Sequence, residues 1–166
     1  MIDLMASDVG DGLCLALHTR NGKIVQIDCG SQQGRILALS GWIRILEILG
    51  GPDIFLLSHF HVDHYNGLQY LSLKPGRVSR LRMEKVHYPG IPEFSRNSEF
   101  LNALFAINSM IFGAETGVME SDFLEAISRI SEGQFSYGPL FAGDSLTDLE
   151  GGDLEILWPP RTIIAS

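Results

Sequence analysis

The chain has 166 residues, 45% of them hydrophobic, and a formal net charge of −8 from 12 basic and 20 acidic side chains. That length and hydrophobic share allow one domain with its own core and exclude a disordered chain. The acidic balance excludes sequence-independent DNA binding by the bulk surface, although cations bound in a cleft would still attract phosphates locally.

No stretch reads as a membrane span, because the apolar run from Ile36 to Leu49 is too short and is interrupted by Arg44 and Glu47. Met1-Ile2-Asp3-Leu4 carries no basic region ahead of an apolar one, so no signal peptide is expected and a cytoplasmic location is the default. Two cysteines, Cys14 and Cys29, are too few for a disulfide framework.

Leu13 to His18 and Lys23 to Asp28 are strand-like apolar runs around Arg20-Asn21-Gly22. Asn-Gly suits the centre of a type I′ hairpin turn, where both positions need positive φ. With Asn21 and Gly22 as a two-residue loop, Arg20 opposes Lys23 and Cys14 opposes Cys29, as a pair of reduced buried thiols. Arg35 to Leu49 then reads as a helix with a strongly apolar face, ended by Gly50-Gly51-Pro52. Asp53 to Leu57 suits a buried strand, Asn66 to Leu73 a helix closed by Lys74-Pro75-Gly76, and Arg82 to Tyr88 another strand. A helix is expected through Leu101, Leu104, Phe105 and Ile107, and a second from Ser121-Asp122 through Phe123, Leu124, Ile127 and Ile130 to Gly133. Gln134 to Tyr137 and Leu154 to Trp158 read as closing strands. This order is a mixed α/β layer pattern without a linker or repeat, so residues 1–166 are expected to form a single domain.

Three of the five histidines fall in Ser58-His59-Phe60-His61-Val62-Asp63-His64. Buried ring nitrogens need partners, so three together at a strand end would be costly without one, and a divalent cation is the expected partner. Imidazole and carboxylate suit zinc, with manganese an option at a carboxylate-richer position. His59 and His61, two apart on an extended segment, project to the same side. Asp63 and His64 come where the chain turns into the next helix. One or two ions are expected, with His59 and His61 on one and Asp63 and His64 on the second. Two ions roughly 3.5–4 Å apart can clamp a hydrolytic transition state and lower the pKa of a bridging water to about 7. His18, within a hairpin strand, and His87, ahead of a Tyr-Pro-Gly turn, are expected to be structural.

The run from Ser58 to His64 resembles the His-x-His-x-Asp-His signature of the metallo-β-lactamase superfamily, among the more specific short metal motifs. Ile54-Phe55-Leu56-Leu57 is similar to the strand that leads into it, and Asn66-Gly67-Leu68 to the segment that follows. Ile24-Val25-Gln26-Ile27-Asp28-Cys29-Gly30 resembles the family strand ending in Asp-x-Gly, which implies that Asp28 is a buried carboxylate orienting a histidine ligand. Asp8-Val9-Gly10-Asp11-Gly12 and Leu154-Glu155-Ile156-Leu157-Trp158-Pro159-Pro160 resemble the branch containing the hydrolase domain of bacterial DNA-uptake competence proteins. The resemblance implies an α/β fold, the metallo-β-lactamase αββα sandwich, of which this chain would supply the N-terminal half to two-thirds. It also implies a metal-dependent hydrolase, phosphodiesterase- or nuclease-like, using a metal-activated hydroxide, with Asp63 helping to orient the water. Later family motifs supply a bridging aspartate and a further histidine, for which little chain remains after Pro160. Gly143-Asp144 matches a family turn, so Asp144 is not expected as a ligand. A chain truncated at its C-terminus would leave a sheet edge and an apolar face uncovered, and so predicts a homo-oligomer or pairing with the missing half. Sedimentation as a monodisperse monomer would count against that association. Two alternatives stand beside this reading: hydrolysis of thioesters, lactones or β-lactams on the same fold, and a non-catalytic metal-binding or assembly module.

Overall fold

A computed structural model describes residues 3–73, 81–90, 93–94, 119–132, 135–147, 149–150, 152–157 and 161–163. Its frame is a six-stranded sheet in the spatial order β1-β2-β3-β4-β5-β7. The strands β1 (Asp3–Ala6), β2 (Leu15–His18) and β3 (Ile24–Ile27) pair antiparallel. From β3 the sheet continues in parallel through β4 (Ile54–Leu56), β5 (Lys85–Pro89) and β7 (Ser136–Leu140). Short pairs join β6 (Glu93–Phe94) to β10 (Thr162–Ile163), and β8 (Ser145–Leu146) to β9 (Leu154–Glu155). Three helices are described, α1 (Arg35–Leu49), α2 (Asn66–Ser72) and α3 (Met119–Ile130). The architecture is therefore mixed α/β with a mostly parallel sheet, and among the described residues no helix is long and apolar enough to cross a membrane. The helix expected through Leu101 to Ile107, and Trp158, lie outside the described residues.

The hairpin corrects the expected register. Thr19, not Arg20, faces Lys23, with Thr19 N–H donating to the Lys23 carbonyl at 2.9 Å and Gly22 N–H to the Thr19 carbonyl at 3.1 Å. His18 consequently pairs with Ile24 and Leu15 with Ile27, so Cys14 and Cys29 are not directly opposed. A three-residue loop needs positive φ only at its last position, which Gly22 supplies at 79°, whereas a type I′ turn would also force Asn21 there. Cys14 and Cys29 are nonetheless free, buried thiols in side-chain contact, and burial pushes the Cys29 thiol well above its ordinary value.

The bounds of α1 follow its sequence pattern. Ala38, Leu39, Trp42 and Ile45 form one buried stripe, and Gly50, at φ 95°, ends the helix. β4 is buried at all three positions because both faces of the sheet are covered there. Phe55, Leu57 and Val86 join Trp42, Leu39 and Leu68 in the larger core beneath the helices. Ile54 and Leu56 join Val25 and Leu140 in a smaller core on the opposite face, where Leu146, Leu154 and Ile156 of the β8–β9 hairpin pack. β7 extends beyond the expected Tyr137 through Pro139, which a strand at the sheet's edge tolerates, and among the described residues β7 is such an edge. β5 starts later than expected because Glu84 and Lys85 both donate to the Asp53 carbonyl, which offsets the start of the ladder.

His87, on β5, is structural in its setting: its Nδ1 donates to the Gly138 carbonyl at 3.3 Å, and its Nε2 is buried without a hydrogen-bond partner. Burial lowers its pKa below the ordinary 6.5, helped by the Lys85 charge and opposed by the Gly138 hydrogen bond. Between 6.5 and that lower folded value the unfolded chain binds a proton that the folded chain refuses, so stability falls as pH drops through this window. Urea unfolding at stepped pH should show this slope, and His87→Phe should flatten it. An equal slope in that variant would assign the titration to another group.

Candidate metal centre

The candidate residues sit at the carboxyl ends of the parallel strands β3 and β4, the edge where open α/β sheets place their ligands. Asp28 follows β3 with φ 54°, the single non-glycine among the described residues in the left-handed region. Asp and Asn tolerate that conformation better than other side chains. Asp28 is fully buried, and its carboxylate is saturated by neighbours from the histidine run. Its Oδ1 accepts the Ser58 N–H at 2.7 Å, while its Oδ2 accepts the Ser58 hydroxyl at 2.5 Å and His64 Nδ1 at 2.6 Å.

These bonds set the imidazole tautomers. A proton on His64 Nδ1 donated to Asp28 leaves the Nε2 lone pair available to a cation, as carboxylate–histidine pairs do at metal sites. The Ser58 hydroxyl, spent on Asp28 as a donor, is left to accept from His59 Nδ1 at 3.0 Å. Burial lowers the His59 pKa, and the neighbouring His64 and His61 rings add to the effect against the Asp28 and Asp63 charges. All these influences concern the same choice, and the net result favours the neutral, ligating imidazole.

The three rings come together. His59 and His64 have centroids 3.7 Å apart, His59 and His61 4.6 Å apart. Alternation along the extended segment turns Phe60 the other way, against Tyr88 and Phe123 at 5.8 and 6.5 Å. Residues 62–64 then form a single 3-10 turn, which brings Asp63 Oδ2 to 3.9 Å from His64 Nε2. The residues fit a divalent cation in donor type: imidazole lone pairs beside a carboxylate. Among the described residues no group of three or more His, Cys, Asp or Glu side chains is placed to hold a metal ion.

The loop after β3 is locked to the motif by backbone. Cys29 N–H donates to the His64 carbonyl at 2.8 Å and Gly67 N–H to the Cys29 carbonyl at 3.0 Å. Gly30 packs so tightly that a Cβ there would lie 1.9 Å from the Asp63 carbonyl oxygen. Asn66 bridges back to Ser31 through both its amide atoms. Two contributors carried no signal of their own in the sequence. Ser58 joins Asp28 to His59, and Gln32, in the loop after β3, donates to Asp63 Oδ2 at 3.1 Å. Ser58 was detectable only as a neighbour of the histidines, and Gln32 reads as an ordinary polar loop residue.

The remaining candidates are elsewhere. His18 pairs with Ile24 in the hairpin, and His87 lies on the face away from the helices. Asp144 closes a turn, its carboxylate accepting the Phe141 N–H at 2.9 Å and the Arg161 guanidinium at 2.6 Å. The Phe141 bond does most to lower its pKa; desolvation opposes it, and the Arg161 hydrogen bond and charge add to the lowering. In comparisons with known proteins, no family model matches this chain and no curated protein matches it.

Proposed function

We propose that the chain is a metal-dependent hydrolase with the metallo-β-lactamase fold, acting on phosphodiesters. The observation that carries this reading is the 2.6 Å bond from His64 Nδ1 to the buried Asp28 carboxylate, within a cluster of three imidazoles and Asp63. A buried acid that orients one ring of a histidine cluster is an arrangement that metal ligation uses and packing alone does not require. His59, His61, Asp63 and His64 would hold one or two zinc ions, with manganese as a substitute. The bound ion supplies Lewis acidity and charge stabilisation for attack by water at neutral pH. Asp28 and Ser58 keep the imidazoles in the ligating tautomer, and Asp63, steadied by Gln32, orients the attacking water.

Zinc content after equilibration and dialysis, together with turnover of chromogenic phosphodiesters, thioesters, lactones and β-lactams, tests the proposal. At least one zinc per chain and phosphodiester turnover are expected, and His59→Ala should abolish both while leaving the circular dichroism spectrum in place. Turnover retained by His59→Ala would remove the assigned role. Preferred turnover of another substrate in the panel would move the chain to a different hydrolase of the same fold. Less than one zinc per chain in excess metal would favour a binding or assembly module.

A further inference from the structure

A cleft of about 250 Å³ opens beside the histidine cluster, at the carboxyl ends of β4, β5 and β7. Leu56, Tyr88, Pro89, Leu140 and residues 154–157 line it, together with the exposed Ser58. Ser58 connects the two places, since its hydroxyl touches Asp28 on one side and His59 on the other. A molecule filling the cleft would thus lie against Ser58, whose hydroxyl bonds the His59 ring.

Size, polarity and charge define the occupant. An apolar cavity of about 150 Å³ takes up benzene, so about 250 Å³ accommodates one substituted aromatic ring. The walls are mostly aliphatic: Leu56, Leu140, Leu154 and Ile156 belong to the small core, and Leu57 and Tyr88 to the larger one. They are therefore held in place by the fold. Glu155 is the one charged residue on the lining and would repel an anion. Leu157, 79% exposed, is a large apolar side chain in water that a ring in the cleft would cover.

We propose that this cleft binds an uncharged aryl substituent on the non-leaving side of the substrate, with the reacting phosphodiester lying over the histidines. The orientation rests on the hydrolase reading, and the aryl site itself does not. Small aryl phosphodiesters are then the substrate class, in preference to polynucleotides.

Two measurements on the full chain test this. Titration with p-cresol, followed by the methyl NMR signals of leucine and isoleucine, should shift those of Leu140, Leu154 and Ile156. Leu157→Asp and Ile156→Trp should each weaken the binding about tenfold, by removing apolar cover or by filling the space. His59→Ala should leave cresol binding unchanged. With zinc present, bis(4-nitrophenyl) phosphate should show a kcat/KM about tenfold above that of methyl 4-nitrophenyl phosphate, which has the same leaving group and only a methyl for the cleft, and Leu157→Asp should erase the difference. Cresol shifts confined to other residues, or equal binding by both cleft variants, would overturn the aryl site. Cresol bound in the cleft without any phosphodiester turnover would keep the site and remove the phosphodiesterase reading instead.

Discussion

Phe123→Ala should cost about 3–5 kcal/mol of folding stability, the range for deleting a fully buried phenylalanine. Phe123 is completely buried on α3, and its ring meets those of Phe55, Tyr65, Tyr88 and Phe60 at centroid distances of 5.9 to 6.5 Å. Those partners come from β4, β5 and both ends of the histidine run, so one side chain ties the third helix to the floor of the site. Against a typical net stability of about 5–15 kcal/mol, such a loss removes a large fraction of the total. Urea unfolding would show it as a large drop in midpoint at unchanged slope. A change below about 1 kcal/mol would mean that the packing around Phe123 is looser than described.

Asp28→Asn should weaken zinc binding about 10- to 100-fold while the chain still folds. Asparagine keeps the shape of aspartate and tolerates the positive φ at this position. It replaces one acceptor oxygen with an amide NH2, yet the carboxylate now receives the Ser58 N–H, the Ser58 hydroxyl and His64 Nδ1. At least one of those donors loses its partner in a buried place, at a cost of about 1–3 kcal/mol in stability. His64 also loses the acceptor that keeps its proton on Nδ1, and with it the bias toward a free Nε2 lone pair. A chelator competition would measure the change in affinity, and thermal unfolding without metal would measure the structural share. Unchanged affinity would show that Asp28 serves the fold alone.

Much of the local structure was legible in the chain. The helix expected over Arg35 to Leu49 forms over those residues, because an apolar stripe and a terminal glycine are local signals. The convergence of His59 and His61 followed from strand alternation, and the position of Asp28 from its resemblance to a strand-end aspartate. The hairpin register was not legible. Asn21-Gly22 serves a two-residue or a three-residue loop, and hydrogen bonding across the strands selects between them. β1 carries no alternating pattern, being mostly exposed, and is defined by its pairing with β2.

Sequence alone determined where donor groups are concentrated, since imidazole and carboxylate side chains state their donor capacity without a fold. It also determined α1 and the buried run of β4, whose periodicities are local. Only the tertiary structure decided the partners: Ser58 and His64 on Asp28, Gln32 on Asp63, and Phe123 under Phe60. Each of those contacts joins residues thirty or more positions apart. Such contacts depend on how the strands are ordered in the sheet, a property of the whole chain that no local pattern encodes.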